Sequence, residues 1–515
     1  MAELLRCTSP ESLITGWDFS TGAVKCLAFD MQGRTVAEVR MPTDLWHGEP
    51  GSGVSELNLM QLEGQARASV RVMAARLREL GRLEDWVAGG ISATHHTAGR
   101  IDADRLQVRR AICWNDQTLA AYRQKGEARL GGPQRVLELI GGPWADRYSL
   151  SHIVKDEDPD YLSVDQWNRT SRILSHGSLS AGYLTGNFDV TSVSAAASTG
   201  IMDLRTCQWR REMLNALASS EYRELAWKQL PRIIDQNEPI GVLANHVALE
   251  AGLSGNVPVI FPTLDDQAAG LVGGGAVDDG QMAIILGNSA VVNSSSNKLL
   301  DTGALDVMKL NWGPNLWMRC YNNGAQFLNE LFGANANWDA LEQAARQVPA
   351  GCDGALVAPF VNSEPSLGIS KPWLAWNRPV EDAGTKFRVA LECLAYMLEV
   401  GVRAHEAAGQ KIRRITVSGG IARSTLMCEI LASVLNRPLT RLESAEGTAL
   451  GVAVTALAAW ETQLRRQQQI NAPYTVADAV GSLVRFRDEV APRADWVATY
   501  AAGRTQFAEW LTRRP

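Results

Sequence analysis

The stretch LITGWDFSTGAVKCLAFDMQGRTVAEVRM, residues 13–41, decides the fold of this 515-residue chain. Apolar and alternating residues predict strands in LITGWDF, VKCLAFD and TVAEVRM, and the polar segments STGA and MQGR between them predict tight turns. Three strands joined by short turns form an antiparallel meander. Residues 58–80 have the apolar spacing of a helix, and Gly81 is a suitable residue to end it.

The same pattern recurs in the second half of the chain. QMAIILGNSAVVNSSS, residues 281–296, predicts a strand, a polar turn and another strand, and RRITVSGG, residues 413–420, predicts a strand that leads into a helix. This recurrence predicts an α/β protein of two lobes made by internal duplication, residues 1–274 and 275–515, that pack around a cleft. The glycine run at 273–275 is the predicted hinge, about which the lobes close and exclude water. The last residues, 486–515, predict a helix packed on the second lobe.

Composition restricts the classes of function. A net charge of −6, a pI near 5.8 and the lack of a basic run argue against a nucleic-acid partner. The mean hydropathy is −0.12, no apolar stretch is long enough to span a bilayer, and MAELLRCTSPES lacks the features of a signal peptide. Eight scattered cysteines without a CxxC pair favour buried thiols over zinc sites or disulfides. We expect a cytoplasmic protein that acts on small molecules and binds neither nucleic acid nor membrane.

Three turns have the small and hydroxyl residues that suit phosphate binding. Backbone N–H groups of tight turns and helix N-termini bind phosphate, and glycine lets the backbone come close to it. Each turn alone is more typical of a hairpin or a strand–helix connection than of a nucleotide site, but their joint occurrence in this order favours a nucleotide site. Asp18, before the first turn, either caps a strand end or holds Mg²⁺ through water. The turn residues are Ser20, Thr21 and Gly22; Gly287, Asn288 and Ser289; and Ser418, Gly419 and Gly420.

Asp266 is the candidate general base. PTLDDQAAGLVGGGA, residues 262–276, places Asp265 and Asp266 at a predicted strand end, before a helix of small residues. A hydroxyl group is a poor nucleophile, so phosphoryl transfer to it needs a carboxylate that accepts its proton. Gln267 adds a neutral donor and acceptor suited to a second substrate hydroxyl. The alternative interpretation is that both aspartates only cap the helix.

Polar segments of the first half supply further candidates for contacts to a hydroxyl-rich substrate. His95 and His96 lie in a predicted turn, and because neighbouring side chains diverge, one histidine aimed at a substrate hydroxyl is favoured over a shared metal. Asp116 follows the strand RRAICW and either contacts substrate or caps the next helix. Arg147, in ADRYSLSH, is a candidate partner for a polyol or carbonyl oxygen, with an ordinary surface charge as the alternative.

Together these motifs resemble the FGGY carbohydrate kinases over roughly residues 10–480. GWDFSTGAVKCLAFD and LGNSAVV are similar to the two phosphate loops of the family, and the first is most similar to its xylulokinase version. ITVSGGIARSTLMCEILASVL with EGTALGVA resembles the C-terminal signature and adenosine site. The resemblance implies the two-lobed actin/Hsp70/hexokinase-like (ribonuclease H-like) fold, ATP and Mg²⁺ as cofactors, and a possible homodimer. It also implies a set of nucleotide contacts: Ser20, Thr21, Gly22, Gly287, Asn288, Ser289, Trp338, Gly419, Gly420 and Ser424, with Asp18 for the metal.

The resemblance further implies the reaction, which is transfer of the γ-phosphate of MgATP to a sugar hydroxyl with D-xylulose as the expected acceptor. Asp266 is then the base, and the expected substrate contacts are His96, Asp116, Arg147, Asp266 and Gln267. The alternatives are a kinase for another pentulose, a polyol such as glycerol or an aldonate such as gluconate, a catalytically inactive sugar or nucleotide sensor, and an ATPase that acts on proteins. Thr94, Thr263 and Asn288 depart from the usual residues of the family, which favours the sensor, whereas Asp18 and Asp266 favour the kinase.

Overall fold

A computed structural model describes residues 6–300, 305–444 and 446–513. The chain divides into two compact units. Unit 1 comprises Met1–Val277, Asn297–Leu316 and Thr448–Val484, and unit 2 comprises Asp278–Ser296, Trp317–Gly447 and Arg485–Pro515. Both units are therefore assembled from segments that are distant in sequence.

Strands and helices mix along the whole chain. Up to Val277 the strands are β1 (Leu13–Phe19), β2 (Ala23–Phe29), β3 (Thr35–Pro42), β4 (Glu56–Leu57), β5 (Trp86–Ala93), β6 (Ala98–Ile101), β7 (Gln107–Ile112), β8 (Arg172–Ser175), β9 (Val190–Ser192), β10 (Met202–Asp203), β11 (Gln208–Trp209), β12 (Arg232–Ile234), β13 (Gly241–Val242), β14 (Val259–Ile260) and β15 (Leu264–Asp265). The helices of the same stretch are α1 (Leu59–Glu79), α2 (Leu119–Leu130), α3 (Pro133–Ile140), α4 (Ser149–Lys155), α5 (Val164–Arg169), α6 (His176–Thr185), α7 (Val193–Ala197), α8 (Ser220–Gln229), α9 (Asn245–Glu250) and α10 (Asp266–Gly273).

The elements after Val277 follow the same alternation. The strands are β16 (Gln281–Leu286), β17 (Ala290–Ser296), β18 (Asp306–Lys309), β19 (Asn315–Tyr321), β20 (Val357–Phe360), β21 (Trp373–Trp376), β22 (Arg414–Ser418), β23 (Leu439–Leu442) and β24 (Phe486–Val490). The helices are α11 (Ala325–Phe332), α12 (Trp338–Arg346), α13 (Ala383–Ala407), α14 (Thr425–Leu435), α15 (Gly447–Gln467), α16 (Val476–Leu483) and α17 (Ala494–Leu511).

The central sheets of the two units share one topology. In unit 1 the strands lie in the order β14-β5-β1-β2-β3, where β1 is antiparallel to β2 and parallel to β5. In unit 2 they lie in the order β23-β22-β16-β17-β19, where β16 is antiparallel to β17 and parallel to β22. When these five strands of each seven-stranded sheet are numbered along the chain, both sets have the order 5-4-1-2-3. The predicted duplicated α/β fold is therefore confirmed.

Apolar faces explain why these helices form. In unit 1 the buried face of α1, with Leu62, Val70, Met73 and Leu77, packs against β2 and β3 in one hydrophobic core. In unit 2, α13 is buried along almost its whole length in a second core. Burial of such faces, rather than helix propensity, supplies most helical stability in proteins.

The helix α15 packs directly onto β1, which leads into the predicted first phosphate turn, and onto β5 beside it. A side-chain carbon built on Gly16 of β1 would lie 1.8 Å from the carbonyl oxygen of Ala449, and one built on Gly90 of β5 would lie 2.2 Å from that of Val452. No residue larger than glycine fits at these two crossings. The small residues of β1, β5 and α15 thus permit backbone-to-backbone contact.

The C-terminal stretch differs from the prediction at its start. Residues Phe486–Val490 form a strand antiparallel to β23, and the helix α17 begins only at Ala494. The side chains of this edge strand are almost all exposed, so its sequence lacks the apolar pattern by which strands are recognised. Of the helices that the structure describes, none combines the length and apolarity needed to cross a membrane.

Candidate active site

The predicted base and its neighbour lie at the start of α10 in unit 1. Asp265 is the N-cap residue, and its side-chain oxygen Oδ1 accepts the N–H of Gln267 at 3.0 Å. Asp266 is the first helical residue and is half-buried. Asp265 therefore performs the capping that the alternative interpretation gave to both aspartates, and Asp266 stands at the positive end of the helix dipole.

Three carboxylates influence one another at this edge of the sheet. β1 and β15 both pair in parallel with β5, with Asp18 opposite Ser92 and Asp265 opposite Ala93. Burial and the nearby charges of Asp265 and Asp18 raise the pKa of Asp266 well above its usual value. Burial also raises the pKa of Asp265 to about 6. Carboxylates with raised pKa values at a strand-to-helix turn are typical of acid–base sites.

A hydrogen-bonded network of polar side chains holds the strand before Asp265 in place. The hydroxyl of Ser194 in α7 accepts the N–H of Asp265 at 3.1 Å. The amide of Asn311 accepts the N–H of Ser194 at 2.8 Å and donates to the carbonyl oxygen of Thr263 at 3.0 Å. Because these groups are buried, the loss of one partner is costly. The network fixes the position of the aspartate pair.

His96 and Arg147 occupy the same part of unit 1. The His96 ring stacks on Tyr148, with centroids 5.0 Å apart and planes at 10°. Burial and the charge of Arg147 hold the pKa of His96 well below its usual value, so this imidazole is neutral and offers one donor and one acceptor. Arg147 forms an ion pair with Asp306, and its charge also acts on the carboxyl of Asp265. His96, Arg147 and the aspartate pair thus belong to one polar region.

Asp116 has clear structural partners. Its carboxylate accepts the N–H groups of Ser55 and Thr118, each at 2.9 Å, and lies 3.9 Å from the ammonium of the buried Lys155. The side chain of Asp116 is fully buried. Loop fixation therefore accounts for this aspartate, and its contact with substrate stays a prediction.

The first predicted phosphate turn closes the hairpin between β1 and β2. Ser20 donates its N–H to the carbonyl oxygen of Ala23 at 3.0 Å, and its hydroxyl donates to the same oxygen at 2.9 Å. Gly22 is exposed, and a side-chain carbon built on it would meet no atom within 4 Å. Neither packing nor backbone strain in this structure accounts for a glycine at position 22, whereas the close approach of a ligand would.

Unit 2 contains a cavity of about 580 Å³ that gathers five of the predicted nucleotide residues. Its volume lies in the range of small-molecule sites. Three of its walls are the β16–β17 turn, the start of α12 and the connection from β22 to α14. The predicted residues that line it are Gly287, Asn288, Trp338, Gly420 and Ser424.

Local geometry explains the small residues at three positions in or beside the walls of this cavity. Gly287 at the β16–β17 turn accepts the N–H of Ala325, the first residue of α11, at 2.8 Å. Gly419 has φ of +93°, and a side-chain carbon there would lie 2.4 Å from the carbonyl oxygen of Leu286. Ser424 caps α14 by accepting the N–H of Met427 at 3.1 Å. The turn and the start of α11 present backbone to the cavity, which suits an anionic ligand.

Sequence reasoning missed Asp306, Asn311 and Tyr148. Asp306 and Asn311 belong to the segment between β17 and β19 that is part of unit 1, and no local pattern marks them. Tyr148 adjoins Arg147, and the aromatic ring next to a candidate arginine was the available signal.

The duplicated sheets with their strand-end carboxylates define a two-lobed protein of the actin/hexokinase-like class. The sequence pattern of the FGGY family of carbohydrate kinases, N-terminal domain, matches residues 13–273, and that of its C-terminal domain matches residues 283–460. The chain therefore belongs to the FGGY family of carbohydrate kinases.

Individual relatives carry several substrate names. The chain is 28% identical to a xylulose kinase of Escherichia coli (strain K12), over 85% of this chain and 88% of the relative. It is 26% identical to an L-fuculokinase of Salmonella typhi, over 86% of this chain and 92% of the relative. The solved structure of a gluconate kinase from Lactobacillus acidophilus matches with a TM-score of 0.83 at 18% identity, over 97% of this chain and 98% of that structure. At 18% identity, the likeness to the gluconate kinase structure shows the fold alone.

Proposed function

We propose that this protein transfers the γ-phosphate of MgATP to a hydroxyl of a ketose, and that D-xylulose is converted to D-xylulose 5-phosphate. The observation that carries the proposal is the placement of Asp266. It is the first residue of α10, the adjacent Asp265 caps the helix, and its carboxyl is half-buried with a raised pKa. A general base works best when its pKa lies nearer the working pH than that of an ordinary carboxyl.

In the proposed reaction the carboxylate of Asp266 accepts the proton of the acceptor hydroxyl. The hydroxyl oxygen forms a bond to the γ-phosphorus while the bond to the leaving oxygen of ADP breaks. The neutral imidazole of His96, the amide of Gln267 and the guanidinium of Arg147 bind the other oxygens of the sugar. Asp116 contributes to sugar binding through the loop that it fixes. Residues 1–274 thus carry the acceptor and the base.

We assign nucleotide binding to residues 275–515, with the cavity in unit 2 as the adenosine site. Trp338 at one wall offers an aromatic face of the kind on which a base stacks, and backbone near Gly287 and Gly420 is open to close approach. The first turn, with Ser20, Thr21 and Gly22, is the second phosphate contact.

The carboxyl groups of Asp18 and Asp266 in unit 1 fit a divalent cation. Asp18 and Asp266 lie close enough for the charge of one to raise the pKa of the other, and a bound cation would relieve this repulsion. Mg²⁺ uses one or two carboxylates and keeps several waters, so Asp18 would hold it through water. When bound, the ion would neutralise charge on the phosphate oxygens.

Relatives support D-xylulose as the acceptor. The E. coli xylulose kinase matches over most of both chains, but the L-fuculokinase matches over a similar length. L-Fuculose is therefore the second candidate acceptor. The inactive-sensor alternative is disfavoured because burial and the charges of Asp265 and Asp18 raise the pKa of Asp266, and such perturbed carboxyl groups are typical of catalytic sites.

The proposal is tested by ADP release with MgATP and a panel of D-xylulose, L-fuculose, glycerol and D-gluconate. We expect release that depends on the acceptor and is fastest with D-xylulose. A faster rate with another acceptor would replace the substrate and keep the reaction. ATP hydrolysis at the same rate with and without every acceptor would contradict the kinase and support an ATPase, and ATP binding without turnover would support a sensor.

A further inference from the structure

We propose that Asp306 determines the substrate class of the acceptor site, because it neutralises Arg147 and so favours an uncharged sugar over an aldonate. The inference rests on the proposed function, since it concerns the same acceptor site. It adds a residue and a selection rule that neither the motifs nor the relatives supply.

The ion pair lies within reach of a ligand. The guanidinium nitrogen Nη2 of Arg147 donates to Oδ2 of Asp306, and the two side chains are 28% and 30% exposed. Both residues belong to unit 1. A guanidinium binds a carboxylate through two parallel hydrogen bonds and is a preferred group for recognising carboxylate ligands. In this structure one nitrogen of that guanidinium, Nη2, is already engaged by a carboxylate of the protein itself.

Asp306 belongs to the acceptor site and not to a distant surface. The guanidinium carbon of Arg147 lies 5.7 Å from the ring centroid of Tyr148, the ring on which His96 stacks. The charge of Asp306 acts on the Tyr148 hydroxyl, and that of Arg147 acts on His96 and Asp265. The pair therefore adjoins the histidine and the aspartates assigned to sugar binding.

Two residues that follow Asp306 in the sequence are anchored by side-chain hydrogen bonds. Two residues further on, the sulfur of Met308 accepts the hydroxyl of Ser198 at 3.3 Å. Asn311 binds both Ser194 and the carbonyl of Thr263. These contacts hold the segment that carries Asp306 against the rest of unit 1, so a ligand carboxylate at Arg147 would compete with the carboxylate of Asp306.

The charges of the region disfavour an anionic acceptor. Asp18, Asp265 and Asp266 are already near one another, and Asp306 adds a fourth carboxylate beside the arginine. A gluconate ion would face these charges beside a guanidinium whose charge is already paired with Asp306. A ketose carries no charge and needs only hydrogen bonds, which the Arg147–Asp306 pair can offer as donor and acceptor.

The test is calorimetric binding of D-xylulose and of D-gluconate, without ATP, to the wild type and to Asp306→Asn. The substitution keeps the shape of the side chain and removes its charge. We expect the ratio of the gluconate to the xylulose dissociation constant to fall at least tenfold in the variant, with a smaller fall at high salt. Asp306→Glu, which retains the charge, should keep a ratio close to that of the wild type.

Asp189→Asn is the matched control, since Asp189 forms an ion pair with Arg172 on the exposed surface of the same unit. An unchanged ratio in Asp306→Asn, an equal fall in the control, or no gluconate binding by the variant would overturn the proposal. Thermal unfolding checks that each variant is folded. A tenfold fall of the ratio of dissociation constants, without ADP release by the wild type, would contradict the kinase and support the role of Asp306. ADP release by the wild type with an unchanged ratio would support the kinase and contradict the role of Asp306.

Discussion

Asp265 and Gln267 are joined by a hydrogen bond of 3.0 Å from the backbone N–H of Gln267 to the carboxylate of Asp265. This bond closes the first turn of α10 with a side chain other than that of Asp266. In a helix that begins with two aspartates, one has a structural task and the other is available for chemistry. The distinction leads to opposite expectations for the two residues.

Asp266→Asn should lower turnover by about 10²–10⁴-fold, the usual contribution of a general base. Stability at pH 7 should be equal or higher, because the substitution removes repulsion from Asp265 and Asp18. The measurements are kcat with the best acceptor, ATP binding by calorimetry, and thermal unfolding. Loss of turnover together with loss of stability would indicate a structural role.

Asp265→Asn should move the acid limb of the kcat/KM profile to lower pH. The negative charge of Asp265 raises the pKa of Asp266, so its removal lowers that pKa and lets the base ionise in more acidic solution. Asparagine also caps helices well, so the fold should persist. An acid limb at the wild-type pH would show that Asp265 does not control the ionisation of the base.

Gly420→Ala and Gly419→Ala form a matched pair at the nucleotide cavity. Gly420 has helical φ and ψ of −59° and −42°, and a side-chain carbon there meets no atom within 4 Å. Alanine should therefore leave stability unchanged or raise it by about 0.4–1 kcal/mol, while it weakens ATP binding by blocking close approach of the ligand.

Gly419→Ala should instead destabilise the protein without ligand, because φ is +93° and Leu286 blocks the added carbon. Thermal unfolding with and without MgATP separates the two effects, since the stabilisation by a ligand grows with the logarithm of the ratio of its concentration to its Kd. An undiminished ATP-induced rise of Tm in Gly420→Ala would contradict the assignment of this cavity to the nucleotide.

Asp116→Ala should destabilise the protein by about 3 kcal/mol, because it leaves Lys155 buried without its counter-charge. Combining it with Lys155→Met should restore part of that loss. Urea unfolding of both single variants and the double variant measures the coupling. Unchanged stability with a large rise of the acceptor KM would show that Asp116 contacts substrate instead.

The parts of the fold that could be predicted from sequence are those with local patterns. The β1–β2 and β16–β17 hairpins follow from apolar strands on either side of Gly- and Ser-containing turns, and the repeat of that pattern gave the duplication. The strand β24 was not predicted because its side chains are almost all exposed, and its sequence does not alternate between apolar and polar residues. Its pairing with β23 depends on backbone groups, which every sequence has.

Candidate site residues show the same limit. Asp266 and Gln267 were identified from a local stretch, but the choice between capping by Asp265 and by Asp266 depends on backbone angles that the sequence does not display. Asp306 and Asn311 contact residues of the candidate site only because the segment Asn297–Leu316 belongs to unit 1. No sequence feature within that segment predicts its contacts with Arg147, Ser194 and Thr263.

The interleaved assembly of unit 1 has a consequence for its synthesis. The helix α15 presses its backbone against Gly16 and Gly90, and unit 1 extends to Val484. A ribosome must therefore translate the chain at least as far as α15 before β1 and β5 meet this neighbour. Until α15 is made, the nascent β1 and β5 expose an uncovered sheet face, so the N-terminal unit is expected to be completed only after α15 has been translated and to depend on holding factors until then.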